Sequence, residues 1–249
     1  MKEIDKLINT TSHRPWTIPR GRWNYYQEWN DVLFLHWKVK IDDLAPLIPK
    51  GILLDTFNGE SWISIVAFTM EKIRPRNLPS LKAISDFHEI NTRTYVTQDN
   101  KSGVYFLSIE AEKQISCIIA NLLSGLPYRN ANIRRQTTGD SHQYALMNND
   151  RDLQFNSDFT VGERIANKSD LDNWLTERYC LYLAKDQQVF RYETHHRPWE
   201  LHEVKISSLN TNYKTGNIAF NRLPDLAHFS AGVKVLAWSR TRLNTPRKN

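Results

Sequence analysis

A tyrosine and an arginine stand side by side in a short stretch whose residue types suit chemistry on a polar molecule. Residues 124–133, SGLPYRNANI, follow an apolar segment that stops at Gly125, and Tyr128 and Arg129 come directly after a proline. A phenol can donate a hydrogen bond or a proton, and a guanidinium can pair with an anion. The two side chains are therefore candidates to bind and polarise a small molecule. The alternative is that they are ordinary loop residues after the end of a helix.

A second stretch carries acidic, amide and basic side chains at alternate positions. Residues 87–96, FHEINTRTYV, contain Glu89, Asn91, Arg93 and Tyr95, which share one face if the stretch is a strand, because side chains alternate between faces. On an exposed face, the glutamate and the arginine would form an ion pair that contributes little. In the interior of a barrel, the same row would present a carboxylate to a ligand as an acid or a base.

The remaining candidates for chemistry are weaker. His195, His196 and His202 are close in sequence, but a strand would direct the first two to opposite faces, and no cluster of cysteine or acidic residues completes a metal site. No glycine-rich phosphate loop, nucleophile elbow or dinucleotide fingerprint is present. Cys117 and Cys180 lie in apolar surroundings without partner spacing, which favours buried thiols in a reducing cytoplasm. The sequence therefore predicts no metal and no cofactor.

The elements that must position these residues are mostly strands. Residues 31–40, DVLFLHWKVK, alternate too little for an exposed strand and predict one that is buried on both faces. Residues 53–70 predict a hairpin around Asn58-Gly59, since these two residues readily adopt the positive φ values of a type I′ turn. Residues 87–96 and 103–111 predict a second hairpin. Further strands are predicted at 132–138, 142–148, 153–161, 187–195, 200–207 and 233–240.

Helical patterns are few. Residues 112–125 predict a helix that ends at Gly125, with one apolar face formed by Ile115, Ile118, Ile119, Leu122 and Leu123. Residues 169–182 predict a second helix that begins with a capping box of Ser169 and Asp172 and extends its apolar stripe to Tyr179 and Tyr182. A shorter helix is predicted near residues 42–49. Many short strands with few helices predict one mainly β domain over residues 1–249, either a barrel or a sandwich.

Composition and charge restrict the class of protein. The chain has 249 residues and a formal net charge of +6, which raises the hypothesis of a nucleic-acid binder. The basic residues are scattered, however, except for small clusters at 73–76, 132–136 and 239–249, and no nucleic-acid-binding motif accompanies them. The longest apolar stretches have the length of strands rather than of membrane spans, and the first residues lack the apolar core of a signal peptide. We therefore expect a cytoplasmic protein with neither nucleic acid nor membrane as a partner.

Several long phrases resemble a known family. The phrases at residues 13–39, 53–70, 87–96, 103–111, 126–133 and 175–182 together resemble the uncharacterised bacterial YqjF-like family, and they extend over almost the whole chain. That family is similar to a distant branch of the acetoacetate decarboxylase-like superfamily. The resemblance implies an antiparallel β-barrel or cone around an apolar cavity, with a few short helices.

The resemblance also implies roles for Glu89, Tyr128 and Arg129. In the decarboxylases, a Ser-Ala-Tyr-Pro-Lys-Lys stretch follows a short helix, and its first lysine forms a Schiff base whose formation the second lysine assists. Alignment on the shared serine and proline places Tyr128 at the position of the first lysine and Arg129 at that of its neighbour. Neither side chain forms an imine. The glutamate that faces the lysine in the family corresponds to Glu89.

The sequence thus predicts a protein that binds a small carbonyl or carboxylate compound in a barrel cavity. Glu89, Tyr128 and Arg129 are the candidate catalytic residues, and the ligand-binding candidates are Asn91, Arg93 and Tyr95. One hypothesis is a cofactor-independent enzyme with lyase-like or hydrolase-like acid–base chemistry and no lysine imine. A second is a non-catalytic binding or sequestering protein with the same pocket, and the nucleic-acid binder is the third. The sequence is also compatible with a homo-oligomer.

Overall fold

The computed structural model describes residues 2–186 and 188–243. Strands predominate in these residues, helices are few and short, and one large sheet holds almost all of the strands, as the sequence predicts. Gln187, at the start of the predicted strand 187–195, lies outside the described residues. So does the end of the C-terminal basic cluster, residues 244–249. None of the described helices is both long and apolar enough to cross a membrane.

The elements follow one another along the chain with short connections. The helices are α1 Lys2–Asn9, α2 Ile41–Leu44, α3 Lys82–Ser85, α4 Gln114–Ser124 and α5 Asp170–Thr176. The strands of the first half are β1 Tyr25–Val39, β2 Leu53–Leu54, β3 Ser61–Pro75, β4 Phe87–Gln98, β5 Lys101–Ala111, β6 Tyr128–Asn130, β7 Asn132–Thr138 and β8 Ser141–Asn148. The remaining strands are β9 Leu153–Arg164, β10 Cys180–Lys185, β11 Gln188–His195, β12 His202–Asn212, β13 Lys214–Thr215, β14 Ile218–Ala219, β15 Leu226–Ala237 and β16 Thr241–Leu243.

The sheet closes on itself. Its strand order runs β11-β10-β5-β4-β3-β1-β15, and a further pairing of β11 with β15 joins the two ends into a ring. Neighbouring strands are antiparallel except where β5 meets β10 and β6. Beyond β15, the strands β12, β9, β8 and β7 continue the same sheet. The ring therefore encloses an interior, and the additional strands cover part of its outer face.

Strand β1 shows how the two sides of the sheet are filled. Val32 and Phe34 belong to an apolar cluster inside the ring, together with residues of β3 and β4. Leu33, Leu35 and Trp37 point to the other side and belong to the largest core cluster, which includes residues of β7, β8 and β9. This confirms the prediction that the strand is buried on both faces.

The predicted hairpin at residues 53–70 is correct only at its turn. Asn58 and Gly59 have φ values of 52° and 81°, but the strands on either side meet in a single bridge between Phe57 and Glu60. Strand β2 pairs with β4 instead, at Leu53–Thr97 and Leu54–Val96. The physical reason is that β4 extends past the end of β3, and β2 pairs with the backbone groups left free there.

Helix α4 ends as predicted, but part of its predicted apolar face is exposed. Gly125 closes it in the left-handed conformation, with φ of 74°. Of the predicted apolar face, Ile115 and Ile118 are 55% and 51% exposed and Ile119 is half-buried, whereas Cys117 is buried. The side chains of Leu122 and Leu123 lie outside the described residues. Ser116 is also buried and donates a hydrogen bond from Oγ to the carbonyl oxygen of Ile84 in α3. Contact with α3 thus fixes a rotation of the helix that its apolar periodicity does not predict.

Helix α5 confirms its predicted start and corrects its predicted end. The capping box is present, because Asp172 N donates to Ser169 Oγ and Ser169 N donates to Asp172 Oδ2. The helix stops at Thr176, however, and Tyr182, which was assigned to its apolar stripe, lies in β10. Aromatic residues favour strands, and here β10 finds partners on both sides, in β5 and β11.

Candidate functional site

A cavity of about 390 Å³ lies inside the ring, closed on one side by α4. Its walls are mostly apolar, and their aromatic side chains include Trp29, Phe34, Phe68, Phe87, Phe106, Trp199 and Trp238. Such a concave, largely apolar space with a few polar groups is typical of a small-molecule site. Polar side chains line it from β1, β4, β6, α4 and β11 and from the segments that follow α5, β11 and β15.

Strand β4 directs the predicted row of polar residues into this cavity. Glu89, Asn91 and Arg93 all line it, because they occupy alternate positions of a regular strand. Tyr95 lies farther along the strand and is fully buried, with its hydroxyl 2.6 Å from Ser64 Oγ. The first three residues thus face the cavity, whereas Tyr95 belongs to the packing at its end.

Glu89 is a buried acid with only part of its hydrogen-bonding capacity used. It is 2% exposed, and its Oε1 accepts a hydrogen bond of 2.9 Å from Asn91 Nδ2. Oε2 makes no hydrogen bond to any described residue. Burial raises the pKa of this carboxyl to about 7, against the opposing effects of Asn91, Tyr128 and Arg93. Near neutral pH both protonation states are therefore populated, as a general acid or base requires.

Tyr128 lies beside this carboxyl. Its backbone is fixed by Asn121, whose Oδ1 accepts from Tyr128 N at 2.7 Å and whose Nδ2 donates to Tyr128 O at 3.0 Å. The side chain lines the cavity. Burial, and after it the neighbouring Glu89, hold the pKa of the phenol well above its usual range. The phenol is therefore protonated and can act as a hydrogen-bond donor.

Arg129 does not join them. Strand β6 pairs in parallel with β5, so that Tyr128 lies opposite Ile109 and Arg129 opposite Glu110. Successive side chains of a strand point to opposite faces, and Arg129 is exposed. The expectation that both neighbours enter one cavity is therefore corrected by the short strand that they form.

Arg93 lines the cavity without an acidic partner. In the described part of the chain no carboxylate oxygen lies within 4.0 Å of its guanidinium. The ordinary ion pair with Glu89 is thus not formed, although the charge of Arg93 lowers the pKa of that carboxyl. The guanidinium carbon lies 5.5 Å from the centre of the Phe34 ring.

An arginine and a histidine are among the polar residues that line the cavity and that the sequence did not single out for it. Arg178, between α5 and β10, lines it and is 7% exposed. His196, directly after β11, also lines it and is fully buried, while His195 turns away and its Nε2 lies 2.9 Å from the carbonyl oxygen of Leu7. Arg178 falls within the phrase 175–182 that carried the resemblance, but only the fold shows that its side chain points inward.

The described residues provide neither a lysine for imine chemistry in the cavity nor a cluster of metal ligands. No lysine lines the cavity wall. No three histidine, cysteine, aspartate or glutamate side chains of residues 2–186 and 188–243 are grouped so that they could hold a metal ion.

Comparison with known proteins gives one family and one fold. The family DUF2071, described as an uncharacterized conserved protein, matches residues 26–234. The uncharacterized protein YqjF of Bacillus subtilis (strain 168) is 35% identical over 226 residues, which cover 89% of this chain and 93% of that protein.

Solved structures extend the comparison at much lower identity. Acetoacetate decarboxylase from Legionella pneumophila superposes with a TM-score of 0.64 at 13% identity, over 97% of this chain and 95% of that one. The enduracididine biosynthesis enzyme MppR in complex with pyruvate superposes with a TM-score of 0.63 at 11% identity, over 95% of both chains. At these identities the likeness shows the fold alone, which is the acetoacetate decarboxylase-like fold.

Proposed function

The chain belongs to the DUF2071 family, and on that premise we propose that it binds a small carbonyl or carboxylate compound in the cavity of its ring. Glu89 is the acid or base of this site and Tyr128 its hydrogen-bond donor. The observation that carries the proposal is that these two groups line the same apolar enclosure, in which burial raises the pKa of the carboxyl to about 7 and keeps the phenol protonated.

The two groups complement a carbonyl compound. A phenol that donates to a carbonyl oxygen draws electron density from the carbonyl carbon, and a nearby carboxylate can take a proton from the adjacent atom. Asn91 holds one oxygen of Glu89 at 2.9 Å and leaves the other for the ligand. MppR, which has a similar fold, is known in complex with pyruvate, and this supports the proposed class of ligand.

We do not propose an imine mechanism. Tyr128 occupies the position at which the resemblance places the nucleophilic lysine. Within the described residues, no lysine lines the cavity. The chemistry that the residues support is proton transfer, without a covalent intermediate.

The test begins with the ligand that the protein carries. Protein purified from its own organism is denatured, and the released small molecules are identified by mass spectrometry. We expect a carbonyl or carboxylate compound, and recovery of only nucleic acid or of no small molecule would contradict the proposal.

Binding and turnover of the identified compound are then measured against pH in the wild type, in Glu89→Gln and in Glu163→Gln, whose glutamate is exposed. We expect a pH dependence near 7 that Glu89→Gln removes and Glu163→Gln retains. Turnover identifies an enzyme, whereas binding without turnover identifies the non-catalytic alternative.

A further inference from the structure

Beyond the acid–base pair, the cavity contains two arginines whose hydrogen bonds are incomplete. We propose that Arg93 and Arg178 form an anion site that binds the carboxylate of an organic acid with a bulky apolar body. This inference rests on the proposed function, since it assigns a ligand class to the same cavity. The anion site gives the cavity a second polar end, away from the acid–base pair. Of the carbonyl and carboxylate compounds proposed above, it selects those with a carboxylate.

Arg93 supplies the unpaired charge. Its Nε and Nη2 are buried and make no hydrogen bond to a described residue. These two nitrogens form one edge of the guanidinium, the edge that binds both oxygens of a carboxylate in parallel. Both nitrogens are buried, so binding requires the flexible Arg93 side chain to turn this edge toward the ligand. A buried donor pair of this kind needs a partner, and the fold supplies none.

Arg178 supplies a fixed donor. Its Nη1 donates to Asp55 Oδ2 at 2.6 Å, and its Nε donates to the carbonyl oxygen of Trp174 at 2.5 Å. The guanidinium carbon also lies 4.3 Å from the centre of the Trp174 ring and 4.9 Å from that of Tyr95. Only Nη2 is left buried without a partner in the described structure. The side chain is therefore held rigidly, with one donor available.

The charges around the two arginines do not balance. Asp55 pairs with Arg178, whereas Arg93 has no acid within 4.0 Å in the residues described. Each guanidinium is close enough to Tyr95 to lower the pKa of its phenol, and the charge of Arg93 acts on Arg178 as a like charge. One positive charge thus remains uncompensated in apolar surroundings, which is unfavourable unless an anion joins it.

The shape of the cavity indicates what else the acid carries. Glu89 and Arg93 are four residues apart on one strand, which separates their Cα atoms by about 13 Å. A molecule that places its carboxylate at the arginines and a polar group at Glu89 must therefore be longer than a three- or four-carbon keto acid. The volume of about 390 Å³ and the aromatic walls suit an aromatic or branched hydrocarbon body between the two ends.

The experiment compares an acid with its neutral isostere. Binding of 4-phenylbutanoate, 4-phenylbutanamide, pyruvate and inorganic phosphate is measured by calorimetry for the wild type, Arg93→Gln, Arg93→Lys and Arg134→Gln. Arg134 is an exposed arginine of β7 and serves as the matched control. Because hydrogen bonds to a charged group are strong, we expect the wild type to bind the acid about 10- to 100-fold more tightly than the amide. Pyruvate and phosphate should bind more weakly than the phenyl acid.

The variants locate that preference. We expect Arg93→Gln to bring the ratio of acid affinity to amide affinity close to one. Arg93→Lys should retain part of the preference, because lysine keeps the charge but lacks the planar two-donor edge. Arg134→Gln should leave the ratio unchanged. Equal binding of acid and amide by the wild type, or an unchanged ratio in Arg93→Gln, would overturn the anion site while leaving the proposed function intact. Binding of phosphate alone would show an inorganic anion site and would also overturn the assignment. Failure of both phenyl probes to bind would overturn the anion site as well. The proposed function is tested separately, by the ligand that co-purifies with the protein.

A stability measurement keeps the proposal testable if a variant binds nothing. Removal of an uncompensated buried charge should stabilise the ligand-free protein. We therefore expect Arg93→Met to raise the urea midpoint of unfolding and Arg134→Met to leave it unchanged. A lowered midpoint for Arg93→Met would show that Arg93 already has its partners within the fold, and would overturn the anion site.

Discussion

Two groups of buried polar side chains lie next to each other inside the ring, and they differ in how completely they are hydrogen-bonded. The first, which we call the histidine cluster, consists of His36, Ser64, Tyr95, Asp172 and His228. The second, the strand row, consists of Glu89, Asn91 and Arg93. Both are enclosed by the same strands, and Arg93 is close enough to lower the pKa of His36, although burial is the larger cause.

The histidine cluster forms a continuous chain of contacts. His228 Nε2 lies 2.9 Å from Asp172 Oδ1, and His228 Nδ1 lies 3.4 Å from His36 Nε2. His36 Nδ1 in turn lies 2.7 Å from Ser64 Oγ and 3.2 Å from the hydroxyl of Tyr95. Burial lowers the pKa of both histidines, so the imidazoles are neutral. No polar side-chain atom of the cluster is left buried without a partner in residues 2–186 and 188–243.

The strand row lacks this completeness at each of its members. Glu89 Oε2, Asn91 Oδ1, and Nε and Nη2 of Arg93 are all buried and unbonded within the described structure. A saturated polar network makes a core rigid, whereas a buried unsatisfied group is unfavourable unless something outside the fold completes it. Burial of polar groups alone therefore does not identify a site, whereas incomplete hydrogen bonding in a cavity does.

The largest effect is expected when the saturated cluster is broken. Asp172→Ala removes the hydrogen bonds to His228 Nε2 and to the backbone N of Ser169. Two hydrogen bonds to a charged group are involved, so we expect the free energy of unfolding to fall by about 3 to 4 kcal/mol. Urea unfolding at pH 7 measures it.

The control for this variant is Asp170→Ala, which removes an exposed acid from the same first helical turn. It should lower the free energy of unfolding by only a few tenths of a kcal/mol, on the order of a helix-dipole effect. If the two variants lose the same small amount, the histidine cluster is not a stabilising network and the contrast between the two groups fails.

The strand row could be predicted from the sequence, whereas the histidine cluster could not. Alternation along residues 87–96 places Glu89, Asn91 and Arg93 on one face without knowledge of any other strand. The cluster joins side chains that are distant in sequence, such as His36 and His228 on β1 and β15. Only the register of the closed ring brings them together.

Local sequence patterns also gave no prediction, or a wrong one, where tertiary contacts determine the structure. Helix α1 was not predicted, because its short apolar pattern has significance only when Leu7 packs against Trp23 and Trp238. Arg129 was assigned to the cavity because the resemblance treats it and Tyr128 as a pair, but three residues of strand pairing are enough to direct them to opposite faces. The resemblance correctly indicated the fold, whereas the orientation of individual side chains required the structure.

The strand row should also make the stability of the protein depend on pH. The folded-state pKa of Glu89 is raised from an ordinary 4.5 to about 7. Between these values the unfolded chain is ionised and the folded one keeps its proton, so the folded state binds more protons and stability falls as pH rises from about 4.5 to 7. At roughly 1.4 kcal/mol per pH unit, the loss amounts to at most about 3 kcal/mol.

Glu89→Gln removes this titration. Relative to the wild type, we expect the variant to be more stable at pH 8 by up to about 3 kcal/mol and to differ little at pH 4.5. Chemical unfolding at the two pH values measures the difference, and Glu163→Gln, at an exposed glutamate, should show none. A variant that is equally or less stable than the wild type at pH 8 would show that the carboxylate is satisfied in the folded protein, as the members of the histidine cluster are.

The smallest effect concerns the link between the strand row and Tyr128. The phenol hydroxyl is close enough to Glu89 to lower the pKa of the carboxyl, in opposition to burial. Tyr128→Phe removes the donor and stabilises the protonated acid relative to the carboxylate, so the pKa of Glu89 should rise from about 7 by roughly one pH unit or less. Infrared difference spectra report this titration directly, through the carboxyl band that is absent in Glu89→Gln.

The control is Tyr25→Phe, which removes a phenol from another part of the same cavity wall and should leave the pKa of Glu89 unchanged. An unchanged or lowered pKa in Tyr128→Phe would separate the phenol from the carboxyl, and Glu89 would then have to act on a ligand without it.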